Sequence, residues 1–143
     1  MHFNSMWKQV LGVNTQLIYE EWKVFVNNRR MGVITEVFRG GWIADYADPS
    51  SFLDLFISGN SLNNTFYDSP DYDMLMKSSD RVSGNARMAL LQQAEAQLMQ
   101  DMTVIPLYYY VSRHLVSPGI TGFSENVRDV HLSRYLDVKS ETH

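Results

Sequence analysis

Apolar residues recur along this chain with helical spacing in some stretches and with strand-like alternation in others, and together the two periods predict an α/β protein. Met6, Trp7, Val10 and Leu11 fall on one helical face from the outset, and Gly12 suits the end of that helix. The pattern therefore opens in mid-helix, as it would in a stretch taken from a longer chain. Val13, Thr15, Leu17 and Tyr19 alternate with Asn14, Gln16 and Ile18, which predicts a strand. Glu20-Glu21 suits the first turn of a second helix, where acids meet the positive end of the dipole. Trp22, Phe25, Val26 and Arg29 share a face of that helix, which stops before Gly32. Residues 33–39 predict another strand. The order helix, strand, helix, strand predicts an α/β layer with right-handed crossovers.

Gly40-Gly41 interrupts this alternation. Asp48-Pro49 predicts a short helix, with Asp48 as N-cap and proline in the first turn, and with Phe52, Leu53 and Phe56 on its apolar side. Residues 58–64 are polar and turn at Gly59-Asn60. Ser69-Pro70 repeats the cap-then-proline start, followed by Tyr72, Leu75 and Met76 at helical spacing. The clearest helix runs from about Asn85 to Met102, with Leu91, Ala94, Leu98 and Met102 on one stripe. Pro106 ends the turn that follows. Residues 107–111, Leu-Tyr-Tyr-Tyr-Val, predict a strand buried on at least one face. Ser117-Pro118-Gly119 predicts a turn, and Val130 to Leu136 a last strand.

Composition narrows the picture. With 143 residues, 45% of them hydrophobic and 20% charged, the chain suits a globular domain with a core rather than a disordered tail. A formal charge of −4 argues against nucleic acid and anionic membranes, which both attract basic patches. The absence of cysteine excludes disulfides, thiolate nucleophiles and Cys-based zinc sites. No apolar run approaches the ~20 residues of a membrane-spanning helix. Residues 1–5 carry neither the basic nor the apolar part of a secretory signal.

Residues 39–49 (Arg-Gly-Gly-Trp-Ile-Ala-Asp-Tyr-Ala-Asp-Pro) are the densest in chemistry. They follow a predicted strand, and loops at strand C-termini are where open α/β sheets bind ligands. A plainer reading makes Asp48 a cap, Trp42 a core plug and Arg39 a surface residue, and the residues alone leave both open. Asp45 and Asp48 also form a candidate carboxylate pair for a small standalone α/β hydrolytic enzyme. That reading is weak, because Asp48 is already explained as a cap and no G-x-S-x-G occurs. His2, His114, His131 and His143 are scattered outside any ligand motif, so no metal centre or cofactor is predicted, and His114 and His131 are expected to be strand or turn residues. Asn63-Asn64-Thr65 fits the glycosylation acceptor pattern, which is too common by chance to assign a role. The run Tyr108-Tyr109-Tyr110 offers stacking faces, but an acidic chain lacks the basic groove that single-stranded nucleic acid needs.

Taken in order, several of these motifs resemble one family. They are Glu21-Trp22-Lys23-x-Phe25, Arg29, Arg39-x-Gly41-Trp42-x-Ala44-Asp45-Tyr46, and the run from Asp48 to Leu53. Asn63-Asn64-Thr65, Ser69-Pro70-x-Tyr72-Asp73, Ala94-Glu95 and the run from Ile105 to Tyr110 continue in register, thinning after about Phe123. The chain is similar to the periplasmic oligopeptide-binding proteins, soluble receptors of ABC-type peptide importers. Such receptors are several times longer, so the resemblance implies a C-terminal fragment.

That resemblance implies the C-terminal lobe portion of a type II periplasmic-binding-protein-like α/β fold, with residues 1–110 in the ligand-binding lobe and residues 111–143 forming a hinge strand and tail that return to the first lobe. It implies no catalysis. An extended peptide would lie enclosed between two lobes, held by main-chain hydrogen bonds, with its side chains in hydrated pockets. Asp45 matches the acid that receives the peptide α-ammonium. Arg39 and Arg29 match cations facing the C-terminal carboxylate at different peptide lengths, and Trp22, Trp42 and Tyr110 match aromatic residues lining the cleft. The spacing from Arg29 to Trp42 is one residue longer than the family's, so Arg30 is an alternative to Arg29. The implied partners are an oligopeptide and the importer's membrane subunits, with edge-strand pairing between copies of the fragment. A murein-tripeptide or dipeptide receptor is the alternative within the family.

Overall fold

The computed structural model describes residues 3–33, 36–126 and 128–139. They fall into two compact units, 1–39 and 40–143. This division concerns compactness alone and leaves the expected lobe boundary near residue 110 as it stood.

In the first unit, α1 (Phe3–Met6) runs into a π-helical turn, Trp7–Leu11. Gly12 ends it with φ 69°, and its N–H donates to the Trp7 carbonyl. α2 (Trp22–Met31) starts where expected, and the acid at its start has a defined task. Glu21 is the N-cap, its carboxylate accepting the N–H groups of Lys23 and Val24 at 2.8 and 3.3 Å. Gly32 closes α2 in the left-handed conformation. Asn28 donates to Glu20 at 2.7 Å and ties the helix to the preceding segment. No described side chain of this unit is fully buried.

The core belongs to the second unit. α3 (Ser50–Leu53) continues as a 3₁₀ turn, Asp54–Phe56. α4 (Pro70–Ser79) begins with Ser69 accepting the Tyr72 N–H, as its sequence predicts. α5 (Gly84–Gln100) follows after the connection 80–83. α4 and α5 pack together, and α3 packs on α5. Leu53, Tyr72, Met76, Leu91, Ala94 and Leu98 form the buried cluster, with Phe56, Ile57, Tyr67 and Leu75 around it. Tyr72 is fully buried, and its hydroxyl donates to the Leu53 carbonyl at 2.7 Å. A buried phenol without a partner costs free energy, and here it joins two helices instead. Two sequence expectations need correction. Phe52 is largely exposed rather than on the apolar side of α3. The last predicted stripe residue, Met102, lies beyond the helix end with φ 53° and is 71% exposed.

Asn63 organises the polar stretch. Its Nδ2 donates to the carbonyls of Phe56, Ile57 and Tyr67, and its Oδ1 accepts from the Thr65 N–H and hydroxyl. The amide nitrogen that a glycan would need is thus engaged in shaping the loop.

Among the described residues, the only strand ladder is β1 (Ile120–Thr121) paired antiparallel with β2 (Asp137–Val138), Ile120 opposite Val138 and Thr121 opposite Asp137. The expected turn at Ser117-Pro118-Gly119 forms just before it, with Ile120 N–H donating to Ser117. The strands expected at 13–19, 107–111 and 130–136 do not form, and 133–135 is a 3₁₀ turn. The same holds for the described part of 33–39, while Ile34 and Thr35 lie outside the described residues. Alternation records which side chains share a face, but a strand also needs a neighbour to take its N–H and C=O groups. Leu107, Tyr108, Tyr110 and Val111 are exposed, and Tyr109 is 96% exposed, so the predicted burial of this segment fails as well. The fold places Gly122 (φ 78°) so that an added Cβ would meet the Tyr135 carbonyl oxygen at 1.7 Å.

Tyr72→Phe removes only the bond to Leu53 and should lower stability by about 1–2 kcal/mol with the helix content kept. Urea denaturation followed by circular dichroism measures this. A change within ~0.3 kcal/mol would show that the hydroxyl contributes nothing to joining the helices.

Candidate functional site

The segment after Gly40 forms an irregular loop whose polar side chains are mostly engaged internally. Asp48 accepts the Ser50 N–H on Oδ1 at 2.9 Å just ahead of α3, although the N-cap position falls on Pro49 rather than on Asp48 as expected. The same carboxylate receives the guanidinium of Arg87, from the first turns of α5, through Nη1–Oδ2 at 2.7 Å and Nη2–Oδ1 at 2.9 Å. This bidentate pair fastens the loop to the core. The Arg87 hydrogen bonds, with the Ser50 N–H adding to them, lower the Asp48 pKa from 3.8 to about 2. Tyr46 donates to Asp54 at 3.0 Å and lies 3.1 Å from the Ser50 hydroxyl. Burial raises the Asp54 pKa.

Asp45 differs. Its backbone N–H donates to the Ser51 hydroxyl at 2.8 Å, which fixes the main chain. Its side chain is exposed and, among the described residues, has no hydrogen-bond or ion-pair partner. Trp42 is half-buried, and its indole N–H has no partner among the described residues. Gly41 lies against the ring of Tyr110, where an added Cβ would come within 3.2 Å of Cε2. Tyr110 packs edge-on to Tyr108 at 5.1 Å between ring centroids. Tyr110 is thus brought to the Gly41–Asp45 loop although no strand places it there.

The other predicted residues lie in the first unit. Trp22 and Arg29 share the face of α2 as their spacing predicts, with Phe25 between them. Trp22 packs at 5.9 Å from the Phe25 ring, and the Arg29 guanidinium sits 5.5 Å from Phe25 and 5.7 Å from Phe38. Such cation–π contacts hold the arginine in place, while its Nε is buried without a partner among the described residues. Arg39 is exposed. The alternative cation, Arg30, is also exposed and lines a shallow concavity with Trp22, Lys23, Val26 and Asn27.

Sequence reasoning missed the partner of Asp48, because nothing local links positions 39 residues apart. It also missed the meeting of His114 and His131 at Asp129. Spacing could not signal it, since the two histidines lie on different segments. The carboxylate-pair reading loses its second acid, because Asp48 is occupied by Arg87 and by the start of α3.

No family model matches the chain. It is 42% identical over 122 residues to the periplasmic oligopeptide-binding protein OppA of Escherichia coli, a match covering 85% of this chain and 22% of that protein. The solved murein tripeptide-binding protein MppA of E. coli superposes with a TM-score of 0.84 at 34% identity, over 94% of this chain and 27% of the other. Haemophilus influenzae OppA, solved in complex with the peptide RPPGFSPFR, gives a TM-score of 0.84 at 32% identity over the same shares. The chain thus spans about a quarter of the length of the relatives it matches. It corresponds to a segment of the periplasmic peptide-binding proteins, and its fold is a portion of their type II α/β fold. These relatives are binding proteins, not enzymes.

The Asp48–Arg87 pair gives a pH-dependent contribution of known sign. A carboxylate whose folded pKa is depressed stabilises above its unfolded pKa and loses that contribution as pH falls through the folded value, here between 3.8 and about 2. Arg87→Ala should therefore lower stability only modestly at neutral pH, because the pair is partly exposed and screened. The gap from the parent should close across that acid window. Thermal melts at several pH values measure it, and a gap that persists below the window would assign the loss to packing rather than to charge.

Proposed function

We propose that this chain is the C-terminal part of the substrate-binding component of an ABC peptide importer, and that it supplies one wall of a cleft that holds extended oligopeptides. Residues 1–110 form part of the C-terminal lobe, and residues 111–143 return to the first lobe through a hinge. The intact protein works in the periplasm and delivers peptide to the importer's membrane subunits. Support comes from 42% identity to an oligopeptide-binding protein and from close superposition on one solved with a peptide.

One observation carries the assignment of the binding group. Between Asp45 and Asp54, two carboxylates are engaged: Asp48 by Arg87 and Asp54 by Tyr46. The third, Asp45, is on a main chain fixed by Ser51 and has no partner of its own among the described residues. A positioned carboxylate with unused acceptor capacity suits a peptide α-ammonium. Arg39 and Arg29 take the peptide carboxylate at different lengths, Arg30 replacing Arg29 if the longer spacing shifts the register. Trp22, Trp42 and Tyr110 line the cleft. A murein-tripeptide receptor is the second reading, favoured by an equal superposition on MppA, and a dipeptide receptor is a further member of the same group. The segment that ends the chain, which would pack on partner strands in the intact receptor, would pair with a second copy of this chain when isolated.

In the intact receptor, Asp45→Ala should weaken tripeptide and tetrapeptide binding by about 2–5 kcal/mol, the cost of leaving an enclosed ammonium unpaired. Calorimetry with oligopeptides, dipeptides and murein tripeptide both measures this and selects among the readings. A loss below threefold would remove Asp45 from the site. The 143-residue chain alone should bind peptides only weakly, because a charge pair open to water is worth about 0–1 kcal/mol. Micromolar affinity in a direct titration would show that it is a receptor by itself.

A further inference from the structure

The tail contains a cluster that the peptide-binding reading does not use. His114 Nε2 lies 2.6 Å from Asp129 Oδ1, and His131 Nε2 lies 2.9 Å from the same oxygen. The three ligating atoms fall within 4.8 Å of one another. Two imidazoles thus converge on one carboxylate oxygen from segments 15 and 2 residues away. Hydrogen bonds from Ser112, His131 and His114 hold the Asp129 carboxyl well below the usual carboxylate range, so it is an anion at neutral pH.

The surroundings hold these groups in place. Phe123 stacks on His131 at 4.0 Å with the rings 16° apart, and it lies 5.3 Å from His114. The imidazoles themselves meet edge-on at 4.8 Å. Asp129 has φ 54°, a left-handed conformation that turns the chain sharply. Asn126 braces that turn, its Oδ1 accepting the Val130 N–H and its Nδ2 donating to the Val130 carbonyl. Next to Phe123, Gly122 lies against the Tyr135 carbonyl with no space for a side chain. Surface residues that meet by chance rarely have an aromatic wall, a braced turn and a shared acceptor together. His131 is the most enclosed of the three, and His114 and Asp129 leave an open side toward solvent.

We propose that His114, Asp129 and His131 form a binding site for a late first-row divalent cation of the zinc class. Two imidazole nitrogens and one carboxylate are the donor set such ions favour, whereas calcium and magnesium prefer oxygen ligands throughout. The ion takes the Nε2 lone pairs, and any proton held on Nε2 leaves to solvent or moves to Nδ1 as the ion binds. Ligand bonds of about 2.0–2.2 Å set tetrahedral ligands roughly 3.3 Å apart, so the two short contacts to Asp129 open by under an ångström. Water completes the coordination on the open side. The bound ion joins residues 114 and 129–131 across the loop that carries Phe123, a region whose only ladder among the described residues is the two-residue pairing of β1 with β2. The site is independent of Asp45 and of the peptide reading.

Isothermal titration of the 143-residue chain with zinc in a non-chelating buffer at neutral pH tests this. One equivalent should bind with a Kd of 100 µM or tighter, the approximate range of an exposed three-ligand site. His114→Ala with His131→Ala should weaken binding at least tenfold, while His2→Ala with His143→Ala should change it less than threefold. A weaker Kd in the parent, or a double variant at His114 and His131 that keeps its affinity, overturns the site. If that variant fails to fold, imidazole ¹⁵N shifts of the parent decide the matter. Zinc must move the Nε2 signals of both His114 and His131, and movement of neither or of only one overturns the proposal. Magnesium in place of zinc should give no heat, and an equal response to magnesium counts against the donor-set argument.

Discussion

The Asp48 carboxylate connects the local start of a helix to the tertiary structure. Oδ1 accepts the Ser50 N–H and one guanidinium nitrogen of Arg87, and Oδ2 accepts the other. The geometry resolves a conflict within α5. Arg87 lies near the N-terminus of that helix, where the dipole disfavours a cation, and Ser83 provides no side-chain cap. A carboxylate from outside the helix supplies the missing negative charge. In return, the loop 40–49 acquires an anchor on α5, which carries half of the buried core residues, and α3 starts at a fixed place. Tyr46, Ser50 and Asp54 then form a second polar link, and Ser51 fixes the main chain at Asp45. Without the pair, the loop would lose its ion-pair link to α5 and depend on short-range hydrogen bonds and on its packing against Tyr110.

The helices were legible in the sequence because their signals are local. Ser69-Pro70 and Gly12 and Gly32 mark ends through backbone chemistry that does not depend on the rest of the molecule. Leu91, Ala94 and Leu98 mark a buried stripe because one helix needs only one neighbour, and α4 is close by. The strands were legible as patterns but not as structure. Alternation at 13–19 and the apolar run at 107–111 describe segments built to pair, yet pairing depends on a partner that no local pattern supplies. The relatives share the α/β fold and are about four times as long as the matched segment. Strand-like sequence without a strand ladder is what a segment spanning so small a share of such a sheet-containing fold is expected to show.

The candidate site divides in the same way. The loop residues Trp42 and Asp45 were singled out by the dense run 39–49 and by the family resemblance, whereas Trp22 and Arg29 share a face of α2 as their spacing predicts. Tyr110 reaches the Gly41 loop by a route that spacing mispredicted, since its segment is extended and exposed rather than a buried strand. The histidine cluster had no sequence signal. Its members are separated by 15 and 2 positions, and only the sharp turn at Asp129 and the Phe123 ring bring them together. Scattered histidines therefore argued against a metal centre from the sequence for a reason that the fold removes.

Three polar groups without partners among the described residues share a feature. The Asp45 carboxylate, the Arg29 Nε and the Trp42 indole N–H are each held by neighbours that engage their backbone or ring but not their hydrogen-bonding atoms. A domain that maximised its own stability would satisfy such groups, because each buried one costs about 1–3 kcal/mol when unpaired. Nearby residues show that this sequence can do so: Asn63 makes five hydrogen bonds, and Asp48 makes three. Satisfied polar groups shape the loops; of the unsatisfied ones, Asp45, Arg29 and Trp42 occur at positions proposed to meet the peptide, whereas the Thr15 hydroxyl lies outside them. A ligand with one ammonium, one carboxylate and a row of amide groups brings the complementary acceptors and donors. In the proposed reading, forming those bonds would recover free energy that the unliganded state forgoes, a differential affinity of the kind that shifts an equilibrium toward a bound state.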